Sequence, residues 1–123
     1  MPKSSTRKPK PEDEIDESSL ESDIIGEDIL QTFFFFGRYS AESLRQASPD
    51  RTEKSDHLIK AYGGHVGAMY ALLGEFDLVM ITQFRSIEDA IKASVALTRA
   101  TGISWVTAPA IPVEYFDKLI EEA

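Results

Sequence analysis

Apolar residues are spaced along the chain in two ways, as short continuous runs that predict strands and as longer periodic stretches that predict helices. The clearest run is the four phenylalanines at 33–36, closed by Gly37, which is too short for a helix and favours a strand. Only Gly74 and Glu75 separate the second run from the third, and so short a connection predicts an antiparallel hairpin. Four strands are predicted, over residues 32–36, 65–73, 76–84 and 103–107.

Helix signals fill the intervals between these runs. Ser48, Pro49 and Asp50 combine an N-cap, a proline at the first helical position and an acidic first turn. Ser86 caps a later helix that Gly102 ends. The apolar face of that helix is predicted from Ile87, Ala90, Ile91, Ser94, Val95 and Thr98. Helices are predicted over residues 51–62, 87–101 and 113–120, with a short helical turn over 40–47.

The resulting order, β-α-β-β-α-β-α, predicts an α+β fold. It is the ferredoxin-like βαββαβ arrangement with an extra C-terminal helix. Right-handed crossover connections place both inner helices on one face of the sheet, so the other face is left open.

Both faces of the predicted sheet are apolar. Phe34 and Phe36 point to one side and Phe33 and Phe35 to the other, whereas an antiparallel sheet with a solvated face alternates apolar with polar residues. Five or six apolar side chains left in water would cost roughly 8–15 kcal/mol, which is comparable with the stability of a small domain. The last helix or the segment over residues 20–30 could cover part of this face. We predict that a second copy covers it, giving a homodimer through the open sheet face, a dimeric α/β barrel.

Residues 1–31 differ from the rest in composition. They hold four basic and nine acidic residues, and so carry −5 of the formal net charge of −8. Residues 1–19 are too polar and too rich in proline to bury a core, and we predict that they are disordered. We therefore divide the chain into an acidic extension, 1–31, and one domain, 32–123.

An apolar stripe at 20–30 interrupts this acidic extension. Its residues have roughly helical spacing, which allows three interpretations: packing on the domain, binding of a protein partner, or an unstructured spacer. The partner-binding candidates are Leu20, Ile24, Ile25 and Ile29.

Composition excludes several classes of protein. The chain has no cysteine, which excludes a disulfide scaffold or a Cys-ligated metal and fits a reducing, cytoplasmic location. No apolar run approaches the roughly 18 residues of a membrane helix, and no secretory signal is expected. The acidic net charge argues against nucleic acid as the main partner.

Several segments together resemble the GYD-domain family of small, functionally uncharacterised proteins. The resemblance rests on Thr32-Phe33-Phe34-Phe35-Phe36-Gly37-Arg38-Tyr39-Ser40, Ser48-Pro49-Asp50-Arg51, Gly63-Gly64 and Leu73-Gly74-Glu75-Phe76-Asp77-Leu78-Val79. The family's Gly-x-Tyr-Asp pattern stands here as Gly74-Glu75-Phe76-Asp77, so the aromatic residue lacks its hydroxyl. Effector-binding domains of leucine-responsive regulators carry a similar hairpin on a similar fold. The resemblance implies a dimeric ferredoxin-like barrel and supplies no activity.

The same hairpin has a structural interpretation. Gly74 suits a positive φ, Phe76 is expected to anchor the turn in the core, and Asp77 is expected to accept backbone N–H groups.

Few residues are candidates for chemistry. Neither His57 nor His65 belongs to a metal-ligand spacing, so we predict no metal site and no cofactor. His65 and Asp77 are the candidate acid or base groups. The candidate ligand-binding residues are Tyr39, His65, Glu75, Asp77 and Trp105.

The lack of catalytic motifs favours a non-catalytic dimer that binds a small molecule or serves as an accessory subunit. One alternative is a small cofactor-independent or haem-dependent oxygenase-like enzyme with its pocket between sheet and helices. The other is an interaction module docked on a larger assembly through residues 1–31. The sequence does not identify a ligand or a substrate.

Overall fold

The computed structural model describes residues 29–123. The predictions made for residues 1–28, including disorder over 1–19 and most of the apolar stripe, therefore lie outside the described residues. The strands are β1 (Gln31–Arg38), β2 (His65–Ala71), β3 (Leu78–Phe84) and β4 (Ser104–Ala110). The helices are α1 (Ala41–Arg45), α2 (Pro49–Ala61), α3 (Ile87–Thr101) and α4 (Val113–Glu122).

The four strands form one antiparallel sheet in the order β2-β3-β1-β4. The phenylalanine strand β1 is central, between β3 and β4, and β2 and β4 are the edges. Helix α2 packs on β2, and α3 packs on β3 and β4. This arrangement confirms the predicted ferredoxin-like α+β fold.

Serine caps set the starts of the first three helices. The Ser48 side chain accepts a hydrogen bond from the Arg51 N–H, and Pro49 occupies the first turn of α2. Ser86 caps α3 in the same way, and Ser40 forms a capping box with Ser43 at α1. These caps satisfy backbone N–H groups that have no partner within the helix.

The core lies between the sheet and helices α2 and α3. Phe35 and Phe84 stack with ring centroids 5.9 Å apart, and Phe33 meets Phe84 edge-on at 6.1 Å. Thr82 is buried among them and its hydroxyl donates to the carbonyl of Phe33 at 2.8 Å. The core cluster consists of Phe33, Phe35, Ile59, Met80, Phe84, Ala90, Ala93 and Leu97.

The apolar face predicted for α3 is wrong. The buried face is rotated away from it about the helix axis by roughly the angle between two consecutive residues. The buried residues are Ala90, Ala93, Leu97 and Thr101, whereas the three branched residues Ile87, Ile91 and Val95 are exposed. Alanines at the contact let the helix axis approach a sheet whose phenylalanines already fill the space between the layers. The larger apolar side chains therefore face outward.

Several strand boundaries also differ from prediction. The last strand is predicted to end at residue 107, yet β4 continues through Pro109 to Ala110. Because β4 is an edge strand, a proline there does not have to donate a hydrogen bond to a second neighbour. The β2–β3 connection is longer than the two residues predicted, since β2 ends at Ala71 and β3 begins at Leu78.

Gly64 lets the chain pass close to the core just before β2 begins. A Cβ added there would lie 2.6 Å from Cζ of Phe84, a ring that is fully buried. We expect Gly64→Ala to lower the free energy of unfolding by about 1–3 kcal/mol through overpacking. Urea unfolding followed by circular dichroism measures the change.

Gly67→Ala is the matched control. A Cβ at Gly67 would meet only the Ile81 carbonyl oxygen, at 3.4 Å, so a change within about 0.5 kcal/mol is expected. Equal losses in the two variants would contradict this account of Gly64.

Candidate functional site

The face of the sheet that α2 and α3 leave free is apolar. Alternation along β1 places Phe33 and Phe35 in the core and sends Phe34 and Phe36 to the opposite side. We call this side the open face. Within residues 29–123 no helix covers it. By register with Phe34 and Phe36 its apolar members are Ala68, Tyr70, Val79, Ile81, Val106 and Ala108. The same alternation places the polar residues Thr32, Gln83 and His65 on this face, at the end where β1 begins.

Exposure on the open face rises from its centre to its edges. Val79 lies between Phe36 and Tyr70 on the neighbouring strands and is only 7% exposed. On the edge strands, Tyr70 is 59% exposed and Val106 is 53% exposed. Side chains of the neighbouring strands shield the middle of the face, while its edges remain available for contact.

Aromatic side chains continue from the open face into the β2–β3 hairpin. The centroids of Phe34 and Phe36 are 6.0 Å apart, and those of Phe36 and Phe76 are 5.2 Å apart. The Arg38 guanidinium lies 4.8 Å from the Phe76 centroid and pairs with Glu75 at 2.8 Å. The expectation that Phe76 anchors the turn in the core is therefore wrong, because it packs with Phe36 on the open face.

Asp77 connects this hairpin to the end of β1. Its carboxylate accepts the Tyr39 N–H at 2.8 Å, and its own N–H donates to the Gly37 carbonyl at 2.8 Å. Its carbonyl accepts the Leu72 N–H, also at 2.8 Å. Gly74 has a φ of 130°, as expected for the turn. The Asp77 carboxylate thus accepts a backbone N–H group from the end of β1 and not across the turn, where the Asp77 carbonyl is the acceptor.

Four of the five predicted ligand-binding residues lie near one end of the sheet. Glu75 and Asp77 are in the hairpin, Tyr39 follows β1, and Trp105 is opposite Gly37 on β4. His65 begins β2 and pairs with Gln83, near the far end of β3. Since six residues of strand span about 20 Å, His65 is far from Asp77 within one protomer.

Trp105 lies on the helix-facing side of the sheet. Its ring packs 6.1 Å from Phe35 and rests on Gly37, where an added Cβ would come within 2.6 Å of it. The indole Nε1 is buried and has no hydrogen-bond partner among the described residues. Sequence reasoning missed Arg51, whose guanidinium lies 5.7 Å from the Tyr39 centroid on the same side.

An apolar pocket of about 420 Å³ lies at the other end of β1 and β4, near the start of α4. Its walls carry no charged side chain, and none of the predicted ligand-binding residues lines it. We call it the β1–α4 pocket. Its walls include Ile29, Leu30, Thr32, Ala110, Pro112 and Tyr115.

Residues 29–123 offer neither a metal-binding cluster nor a membrane-spanning helix. They contain no group of three or more His, Asp or Glu side chains placed to hold a metal ion. None of the helices there has the length and apolar character to cross a membrane.

We expect Asp77→Ala to lower the free energy of unfolding by about 1–3 kcal/mol, because it leaves the Tyr39 N–H without its acceptor. Glu75→Ala removes only an exposed ion pair and is expected to cost at most about 1 kcal/mol. Urea unfolding compares the two variants. If Asp77→Ala were as stable as the parent chain, Asp77 would not hold the hairpin.

Comparison with solved structures matches part of this chain to the leucine response regulatory protein LrpA of Mycobacterium tuberculosis. The two chains are 11% identical over 67% of this chain and 51% of that one, with a TM-score of 0.46. This chain therefore corresponds to about half the length of that protein. A search of curated proteins gave no match.

The family comparison agrees with the resemblance found in the sequence. The GYD domain model matches residues 33–120, which include the sheet except for the first two residues of β1, the β2–β3 hairpin and most of α4. Because this match covers well over half of the chain, the protein belongs to the GYD domain family.

Proposed function

We propose that this protein acts as a non-catalytic homodimeric module in which the open faces of two copies pack together as an α/β barrel. The observation that carries the proposal is the open face itself, which is apolar across the middle of all four strands and is covered by no element within residues 29–123. A twofold axis lets the same surface serve both partners.

The size and relief of the open face favour a sheet as its partner. Four strands of about seven residues make a face of roughly 19 Å by 23 Å. Because side chains project from this face, its accessible area is larger than its flat area. The accessible area therefore approaches the value of about 800 Å² per partner that specific complexes bury. Ala68 and Ala108 lie beside bulky Phe34 and Ile81, and such alternation lets two sheets interdigitate at a spacing of about 10 Å.

The charges around the open face are compatible with this packing. Arg38 and Glu75 neutralise each other, and both are at the hairpin end of the face, where their side chains remain largely exposed. No other charged residue shares the face with Phe34 and Phe36. A dimer of this kind therefore buries apolar side chains without desolvating an unpaired charge.

The alternative as an oxygenase-like enzyme has no comparable support. His65, the proposed acid, base or haem ligand, is exposed and lies at the opposite end of the sheet from Asp77. Small-molecule binding by the dimer is favoured by one observation, the buried Trp105 Nε1, which has no hydrogen-bond partner among the described residues. A ligand carrying a hydrogen-bond acceptor would satisfy this donor.

The dimer is tested by a matched pair of valine substitutions. Val106 on the open face is 53% exposed, and Val95 on the outer side of α3 is 44% exposed. We expect Val106→Glu to weaken dimerisation by about 100-fold or more, because it places a carboxylate in an apolar interface. Val95→Glu is expected to leave the dimer unchanged. Sedimentation equilibrium measures both, and circular dichroism verifies that each variant is folded.

Equal masses for the two variants, whether both monomeric or both dimeric, would contradict the assignment of the open face. A parent chain that sediments as a 13.7 kDa monomer at micromolar concentration would contradict the dimer itself.

A further inference from the structure

Helix α4 has an apolar surface that no described residue covers. All ten of its residues are exposed, and its five largest apolar side chains are between 39% and 67% exposed. A helix of ten residues is marginal in water without packing. Something outside residues 29–123 of one chain must therefore cover this surface. The apolar residues are Val113, Tyr115, Phe116, Leu119 and Ile120.

The β1–α4 pocket adjoins the apolar surface of α4 at Tyr115, and we call the two together the groove. Tyr115 lines the pocket and stands four residues before Leu119, so the two side chains lie on one side of the helix. Phe116 and Ile120 have the same spacing alongside them. The groove thus runs from the starts of β1 and α4 along the helix.

The N-terminal extension reaches the domain at the mouth of this groove. Ile29 and Leu30 line the pocket, and residue 28 is joined directly to them. The preceding nine residues, 20–28, include Leu20, Ile24 and Ile25 at roughly helical spacing. In a helix these nine residues would extend about 14 Å, close to the 15 Å or so of α4.

We propose that residues 20–28 dock in this groove of their own chain and pack their apolar side on α4. The connection through Ile29 favours this occupant over a second copy, because a short tether gives an effective concentration in the millimolar range. The proposal does not depend on dimerisation through the open face. It assigns the apolar stripe at 20–30 to an intramolecular contact instead of an external partner.

Charge gives the proposed contact a characteristic salt dependence. Both elements are acidic, so packing brings like charges near each other and apolar contact must drive it. Added salt screens that repulsion and is expected to strengthen docking, which is opposite to its effect on ion pairing with a basic partner. The acidic residues are Glu21, Asp23, Glu27 and Asp28 in the segment and Glu114, Asp117, Glu121 and Glu122 in α4.

Hydrogen exchange of the full chain, read by mass spectrometry on peptides covering residues 113–122, tests the docking. We expect Ile24→Asp combined with Ile25→Asp to speed exchange of the α4 amides at least about tenfold. Ser18→Asp combined with Ser19→Asp adds the same charge outside the segment and is expected to leave α4 unchanged. In the parent chain, raising the salt concentration is expected to slow α4 exchange.

The peptides covering α3 report in the same experiment whether the core is intact. If the aspartate pair also exposes α3, Ile24→Ala combined with Ile25→Ala replaces it, with the same result expected for α4. Unchanged α4 exchange in the isoleucine variants would overturn the proposal. So would α4 protection that is lost when the parent chain is diluted, because it would identify a second copy as the occupant.

Discussion

The structure depends on one constraint, which is that the central strand carries aromatic side chains on both of its faces. Phe33 and Phe35 fill the space beneath α2 and α3, and that layer is complete within one chain. Phe34 and Phe36 place a second apolar layer on the other side, where the described chain offers no cover. Since a side chain of this size gains roughly 1.5–3 kcal/mol on full burial, the second layer favours association.

The hairpin that carries the family motif connects the end of β1 with the open face. Asp77 holds it to the end of β1 through backbone hydrogen bonds, and Phe76 extends the open face beyond the strands. Arg38 covers the exposed side of Phe76 and forms an ion pair with Glu75. The motif therefore has a structural role as the border of the proposed interface, and none of its described contacts requires the hydroxyl that Phe76 lacks.

The sequence was sufficient where one local rule decided the outcome. Period-two alternation identified the open face, and serine and proline identified the helix starts at Ser48 and Ser86. The predictions from the sequence were wrong where tertiary packing decided the outcome. The contact face of α3 depends on the space that the phenylalanines leave, the tolerance of Pro109 depends on β4 being an edge, and Phe76 is placed by its neighbour Phe36. The separation of His65 from Asp77 already follows from the predicted hairpin, because His65 begins its first strand and Asp77 lies beside its turn.

The most direct test asks whether the open face of one copy touches another copy. In a mixture of isotopically labelled and unlabelled chains, filtered nuclear Overhauser spectra report only contacts between copies. The account predicts intermolecular cross-peaks for the methyl groups of Ile81 and Val106 and none for Val95. Cross-peaks confined to Val95 and its neighbours on α3, or none from the open face at concentrations where the protein is dimeric, would contradict it.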